Sequence, residues 1–164
     1  MKDSFGKFGG LSAWIVGALS LLYALFFLII ARRAEFVGTF GSWAMLAASG
    51  IFSSAAYVAL YQRVKTAGEG LALWALLLGV ASSFATLMHG GYQTLLVNAL
   101  RVGVEHTAVI ESARQLPSQV DPAGLASFFV VGLVAFLFSW LILKSANLPR
   151  GLGVLGIANA VLLV

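Results

Sequence analysis

The sequence has no cysteine, and only 10% of its 164 residues are charged. Without cysteine it has no disulfide, no thiolate metal ligand and no thiol nucleophile. The few charges are also unevenly placed, because the apolar runs 11–31, 40–60, 71–87 and 125–143 contain no Asp, Glu, Lys or Arg. An ionised side chain at the centre of a bilayer costs at least about 2.5–3.5 kcal/mol, so uncharged runs of this length predict membrane-spanning helices.

Chemical motifs are also missing. The sequence contains no nucleophile–base pattern, no phosphate-binding glycine loop and no His-Glu-x-x-His pair, so we expect no enzymatic activity. A metal site built from Glu105, His106 and Glu111 is not predicted, because residues one and five positions apart do not share a helix face. The spans lack buried acids and internal repeats, which are typical of conventional transporters.

We predict an all-α integral membrane protein, in which the whole chain, 1–164, forms one antiparallel transmembrane helix bundle. The first ten residues are predicted to be a short polar lead. An outer loop, 101–124, is predicted to contain a short interfacial helix at 104–116, which would lie on the membrane face. The predicted helices comprise four full spans and a fifth, incomplete one: 11–31, 40–61, 71–95, 125–144 and 151–164.

Two of these helices have unusual lengths. The third could run to Leu100, about 45 Å, so it must tilt, protrude from the bilayer or break at Gly90–Gly91. The fifth would be only about 21 Å long, too short to cross. We expect it to belong to a longer fifth helix, followed by a sixth, in a sequence that continues; a re-entrant or half-spanning helix is the alternative.

The basic residues predict the orientation. Six Lys and Arg lie on the N-terminal side of the predicted bundle and four on the other, so the positive-inside rule places the N-terminus in the cytoplasm. They occur in ones and twos at helix ends. This distribution indicates contact with lipid headgroups, and we expect membrane lipids as partners and no nucleic acid.

The second helix is predicted to be the centre of the bundle. Small residues three and four apart, such as the pairs Ala44/Ala48 and Gly50/Ser54, let helix backbones approach closely in a membrane. By contrast, the bulky runs 21–30 and 128–138 are expected to face lipid or a partner subunit. Trp43, near the outer boundary, is expected to anchor its helix at the headgroups.

The third helix carries a polar stripe: Ser82, Thr86, His89 and Gln93, spaced four, three and four residues apart on one face. His89 is the one residue within a span that could titrate or bind a metal. Three interpretations remain open for it. It could form an interhelical hydrogen bond, ligate a haem or porphyrin-type pigment axially beside Gly90–Gly91, or contact a quinone or lipid headgroup. A bis-histidine haem is disfavoured, since the second histidine, His106, is 17 positions away.

A family resemblance is carried by the fourth helix, the turn Ser145-Ala146-Asn147-Leu148-Pro149-Arg150, the following run Gly151-Leu152-Gly153-Val154-Leu155-Gly156, and the helix exit Ala59-Leu60-Tyr61-Gln62-Arg63-Val64. With these motifs, most of the chain resembles a bacterial multi-pass membrane family, domain of unknown function 4386. It implies about six helices and a bacterial cytoplasmic (inner) membrane. The family has no established activity, so the resemblance implies no catalytic residue.

These observations lead to three functional hypotheses. The first is a non-catalytic accessory or scaffold subunit of a larger bacterial membrane complex, with other integral membrane subunits as partners. The second is a pigment- or haem-binding subunit with His89 as axial ligand. The third is a lipid or small-molecule carrier with a cavity along the polar stripe. No cofactor is assigned; a porphyrin-type pigment, a quinone or a bound lipid remain candidates.

Overall fold

The computed structural model of the protein describes residues 4–101 and 125–163, which are helical apart from short turns. Four helical segments are long and apolar enough to cross a membrane, and a shorter apolar helix follows them. The predicted all-α membrane fold is therefore confirmed. The predicted interfacial helix at 104–116, with Glu105, His106 and Glu111, lies outside the described residues.

The elements in chain order are α1 (Ser4–Leu25), a π-helical turn (Phe26–Ile30), α2 (Glu35–Val64), a 3₁₀ turn (Lys65–Ala67), α3 (Glu69–Arg101), α4 (Leu125–Lys144) and α5 (Arg150–Leu163).

The first three helices are longer than predicted. The polar lead is wrong, because α1 already begins at Ser4, and Gly9 packs against Ala55 and Ala59 of α2. Likewise α2 begins at Glu35, whose carboxylate favours a helix N-terminus, rather than at residue 40. Uncharged runs mark the part of a helix within the hydrocarbon, whereas the helices themselves continue beyond it.

The third helix does not break at Gly90–Gly91. It is continuous over 33 residues, about 50 Å, so it must tilt or project beyond a hydrocarbon core of about 30 Å. At its C-terminal end the guanidinium of Arg101 lies over the Phe36 ring, 4.3 Å from its centroid. This cation–π contact joins the end of α3 to the start of α2.

Consecutive helices run antiparallel and pack side by side. Helix α2 contacts α1, α3 and α4, in agreement with its predicted central place, and its most extensive interface is with α3. Helix α4 packs against α3 and more sparsely against α2, whereas α5 contacts α4 alone among the described helices. Helix α2 is therefore flanked by α1 and α3, whereas the face of α5 that points away from α4 has no neighbour among the described helices.

The buried core lies where the end of α2, the start of α3 and the end of α4 meet. Phe138 of α4 is 2% exposed, and its ring stacks on Tyr57 with centroids 5.8 Å apart. The expectation that the whole run 128–138 faces lipid or a partner is therefore wrong for Phe138, although Phe129 and Phe136 do point outward. The core residues are Val64, Ala72, Ala75, Val134, Leu137, Phe138, Leu141 and Ile142.

The turn between α4 and α5 is tied to the end of α2. The Asn147 side-chain amide donates a hydrogen bond to the carbonyl oxygen of Arg63 (3.0 Å), and the Asn147 backbone N–H donates to the Ser145 hydroxyl (3.1 Å). The last carbonyls of a helix have no partner within it, so Asn147 satisfies one of those of α2. This contact positions the α4–α5 hairpin against the rest of the bundle.

Candidate functional site: the polar face of the third helix

The polar face of α3 lies beside a close contact between α2 and α3. A Cβ atom at Gly50 would lie 2.6 Å from the carbonyl oxygen of Ser83, and one at Gly90 would lie 2.8 Å from that of Trp43. Both distances are far below van der Waals contact, and in both cases the obstacle is backbone. Glycine at these two positions therefore lets the helices approach, as in other membrane helix pairs that pack through small residues.

The hydroxyl groups of the stripe bond mainly within their own helix. Ser82 and Ser83 both donate to the carbonyl oxygen of Gly79 (2.9 and 2.8 Å), and Thr86 donates to that of Ser82 (2.8 Å). Ser82, which is 2% exposed, also shares a side-chain hydrogen bond with Tyr57 of α2. In a bilayer such bonds satisfy polar groups that have no access to water. The N-terminal half of the stripe, Ser82 and Thr86, thus contributes to helix packing.

His89 has a different environment. Its half-buried imidazole meets the indole of Trp43 edge to face, with centroids 5.5 Å apart and planes at 77°. No other described residue forms a hydrogen bond with the imidazole, and the same holds for the carboxamide of Gln93, one turn further along. The C-terminal half of the stripe, His89 and Gln93, therefore carries polar groups that the described bundle does not satisfy.

Trp43 connects His89 to two rings of the first helical segment. The centroids of Tyr23 and Phe27 are 6.3 and 6.4 Å from that of Trp43, and those two rings stack on each other at 5.7 Å. We call these four residues the ring cluster. Each edge-to-face or stacked pair contributes about 0.5–1.5 kcal/mol beyond the area it buries. The cluster joins α1, its π-helical turn, α2 and α3 in the half of the bundle where α1 ends.

Sequence reasoning missed the ring cluster. The four-residue spacing of Tyr23 and Phe27 shows that they share a helix face, but nothing in the sequence places Trp43 and His89 against that face. Trp43, expected to be a headgroup anchor, is half-buried and packs between helices. A bulky ring placed near a predicted boundary fits either role, and helix packing decides between them.

The glycines beside His89 are not equivalent. Gly90 lies against the backbone of Trp43 and Ala47, whereas a Cβ at Gly91 would meet nothing within 4 Å. Of the two glycines, Gly91 leaves space beside its backbone, whereas α2 occupies the Gly90 side of the helix. Within residues 4–101 and 125–163 no three His, Asp or Glu side chains come together in a group that could hold a metal ion.

Comparison with known proteins gives one result. The model of a family described as a domain of unknown function, DUF4386, matches residues 29–164. No curated protein and no solved structure matches the chain. The matched range includes Trp43, the whole polar stripe, and the turn that joins α4 to α5.

Proposed function

This chain belongs to the DUF4386 family, as its turn motif predicts. Because the description of the family names no activity, we propose a function from the side chains of this protein. The protein is a non-catalytic accessory or scaffold subunit of a larger membrane assembly. The main observation behind this proposal is that the polar groups of α3 are engaged in hydrogen bonding and helix packing. Ser82, Ser83 and Thr86 bond to carbonyls of α3 itself, and the adjoining glycine contacts hold α3 to α2. These groups stabilise the bundle.

The outward surfaces support the same proposal. Leu155 and Val161 of α5 are 69% and 71% exposed. Helix α5 has α4 as its one neighbour among the described elements. Between them opens an apolar cleft of about 320 Å³, whose walls include Phe129, Phe136 and Val161. Apolar surfaces of this kind suit contact with other membrane helices or with lipid chains.

Photo-crosslinking from α5 tests this proposal. A photoreactive amino acid at Leu155 is expected to form an adduct with another integral membrane protein, identified by mass spectrometry after purification in a mild detergent. The matched control carries the same amino acid at Leu21, an apolar and equally outward position on α1. An adduct from Leu155 but not from Leu21 supports a specific interface at α5. A chain that purifies alone and forms no adduct contradicts the scaffold role.

A second candidate function rests on His89. A half-buried imidazole without a hydrogen bond from the described residues is suited to a ligand, and a neutral imidazole is a common axial ligand of haem and related pigments. The test is a visible absorbance scan of the purified protein. A Soret or chlorin band that disappears in His89→Ala but persists in Thr86→Ala would establish a cofactor protein. A colourless protein without partners would favour the lipid or small-molecule carrier.

The proposed location is the bacterial cytoplasmic membrane, with the N-terminus in the cytoplasm. Of the eight basic residues within the described part of the chain, five lie at the end of the bundle where α1 begins: Lys7, Arg63, Lys65, Lys144 and Arg150. This asymmetry supports the orientation, since basic residues are retained on the cytoplasmic side.

A further inference from the structure

A cleft of about 430 Å³ opens between the first turns of α1 and the last turns of α2. One turn further along α1, Gly9 contacts Ala59, so the two helices meet there and splay apart toward their polar ends. Pockets for small ligands have volumes of about 300–1,000 Å³. The walls of this cleft are Phe5, Gly6, Val58, Ala59, Gln62 and Arg63.

The polarity of the cleft changes along its depth. Gln62 and Arg63 lie at the end of α2, which finishes at Val64, whereas Val58 and Ala59 lie about one turn deeper in the span. A phospholipid presents the same order, with phosphate at the surface and acyl chains toward the bilayer centre. We infer that this cleft binds an anionic phospholipid, with the headgroup phosphate at Arg63 and Gln62 and the upper acyl chain along Val58 and Ala59.

The chemistry of the two walls favours this ligand. The planar guanidinium of arginine matches phosphate oxygens with paired N–H donors, and a carboxamide adds another donor. Phe5, Val58 and Ala59 offer nothing to a free phosphate ion but do fit a hydrocarbon chain. The site does not depend on a partner subunit, so the lipid-binding proposal is tested independently of the scaffold role.

The charge at this end of the bundle selects an anionic lipid over a zwitterionic one. Lys7, Lys65, Lys144 and Arg150 lie at the same end as the cleft, and Glu69 is the one acidic residue there among those described. Each basic side chain near the surface raises the affinity for an anionic lipid by about fivefold. The excess of positive charge therefore acts together with the direct contact at Arg63.

Lipid titration followed by native mass spectrometry tests the site. The full chain, delipidated in a neutral detergent, is titrated with dioleoyl phosphatidylglycerol, with dioleoyl phosphatidylcholine and with inorganic phosphate. We expect one phosphatidylglycerol to bind, and Arg63→Gln to weaken its binding about fivefold or more. The bond from Asn147 goes to the Arg63 backbone, so this substitution preserves it.

Two further variants separate a built site from general attraction. Lys144→Gln removes the same charge at the same end of the bundle but outside the cleft, and we expect at most the fivefold effect of one unit of charge, smaller than the effect of Arg63→Gln. Val58→Phe keeps every charge and fills the apolar part, and we expect it to weaken phosphatidylglycerol binding. Equal effects of Arg63→Gln and Lys144→Gln, or equal binding of the two lipids, would overturn the proposal. Displacement of the lipid by millimolar phosphate, with no effect of Val58→Phe, would identify a phosphate site instead and also overturn it.

Discussion

Adjacent glycines in α3 provide a direct test of the α2–α3 packing. A Cβ at Gly90 would lie 2.5 Å from the backbone nitrogen of Ala47 and 2.8 Å from the carbonyl oxygen of Trp43, whereas a Cβ at Gly91 would meet nothing within 4 Å. The two positions share one helix, the same depth and the same residue type. Substituting each by alanine therefore isolates the contact with α2.

The magnitude follows from two opposing terms. Alanine favours a helix over glycine by about 1 kcal/mol, and this gain is common to both variants. Forcing an extra methyl group into a packed contact costs about 1–3 kcal/mol, and only Gly90→Ala incurs that cost. Backbone atoms cannot rotate away as a side chain can, so the helices must separate. We expect Gly90→Ala to be less stable than Gly91→Ala by about 1–3 kcal/mol.

Reversible unfolding in mixed micelles, titrated with sodium dodecyl sulfate and followed by circular dichroism, measures this difference. A difference of 1.4 kcal/mol corresponds to a factor of about ten in the equilibrium constant, which such titrations resolve. In a background where Trp14, Trp74 and Trp140 are replaced by phenylalanine, Trp43 fluorescence provides a local signal, since the Trp43 carbonyl lies against Gly90 and its indole contacts His89. Equal stabilities of the two variants would refute the close approach of α2 and α3.

Three further predictions use simple assays. Asn147→Ala should lower the free energy of unfolding by about 1 kcal/mol, because it removes the bond to the Arg63 carbonyl, whereas the exposed Asn98→Ala should change little; equal effects would argue against the tie. Ser12→Ala should raise stability by about 1 kcal/mol or more, since the fully buried Ser12 hydroxyl has no hydrogen-bond partner among the described residues; a loss of stability would show that the hydroxyl is satisfied. In the native, cysteine-free background, an impermeant maleimide applied to spheroplasts should label Arg33→Cys and spare Lys65→Cys; the reverse pattern would invert the proposed topology.

The interior of each span could be read from the sequence, but its ends could not. The absence of charge located every helix within the hydrocarbon, and α4, Leu125–Lys144, has the predicted bounds. At the other ends, packing extends the helices beyond the apolar runs. Gly9, which would weaken an isolated helix, lies within α1, and its missing side chain lets α1 contact Ala59. At the end of α3, Arg101 contacts the Phe36 ring of α2.

The sequence by itself determined that the chain forms apolar helices, and that Ser82, Thr86, His89 and Gln93 share a face, because hydropathy and helical period are local properties. Only the tertiary structure decided what that face meets. Ser82 and Thr86 donate hydrogen bonds to carbonyls of α3 itself. The α2 backbone packs against Gly90, and the His89 imidazole contacts the Trp43 indole. These contacts depend on how far each helix slides and rotates against its neighbour, and side chains from several helices determine that jointly.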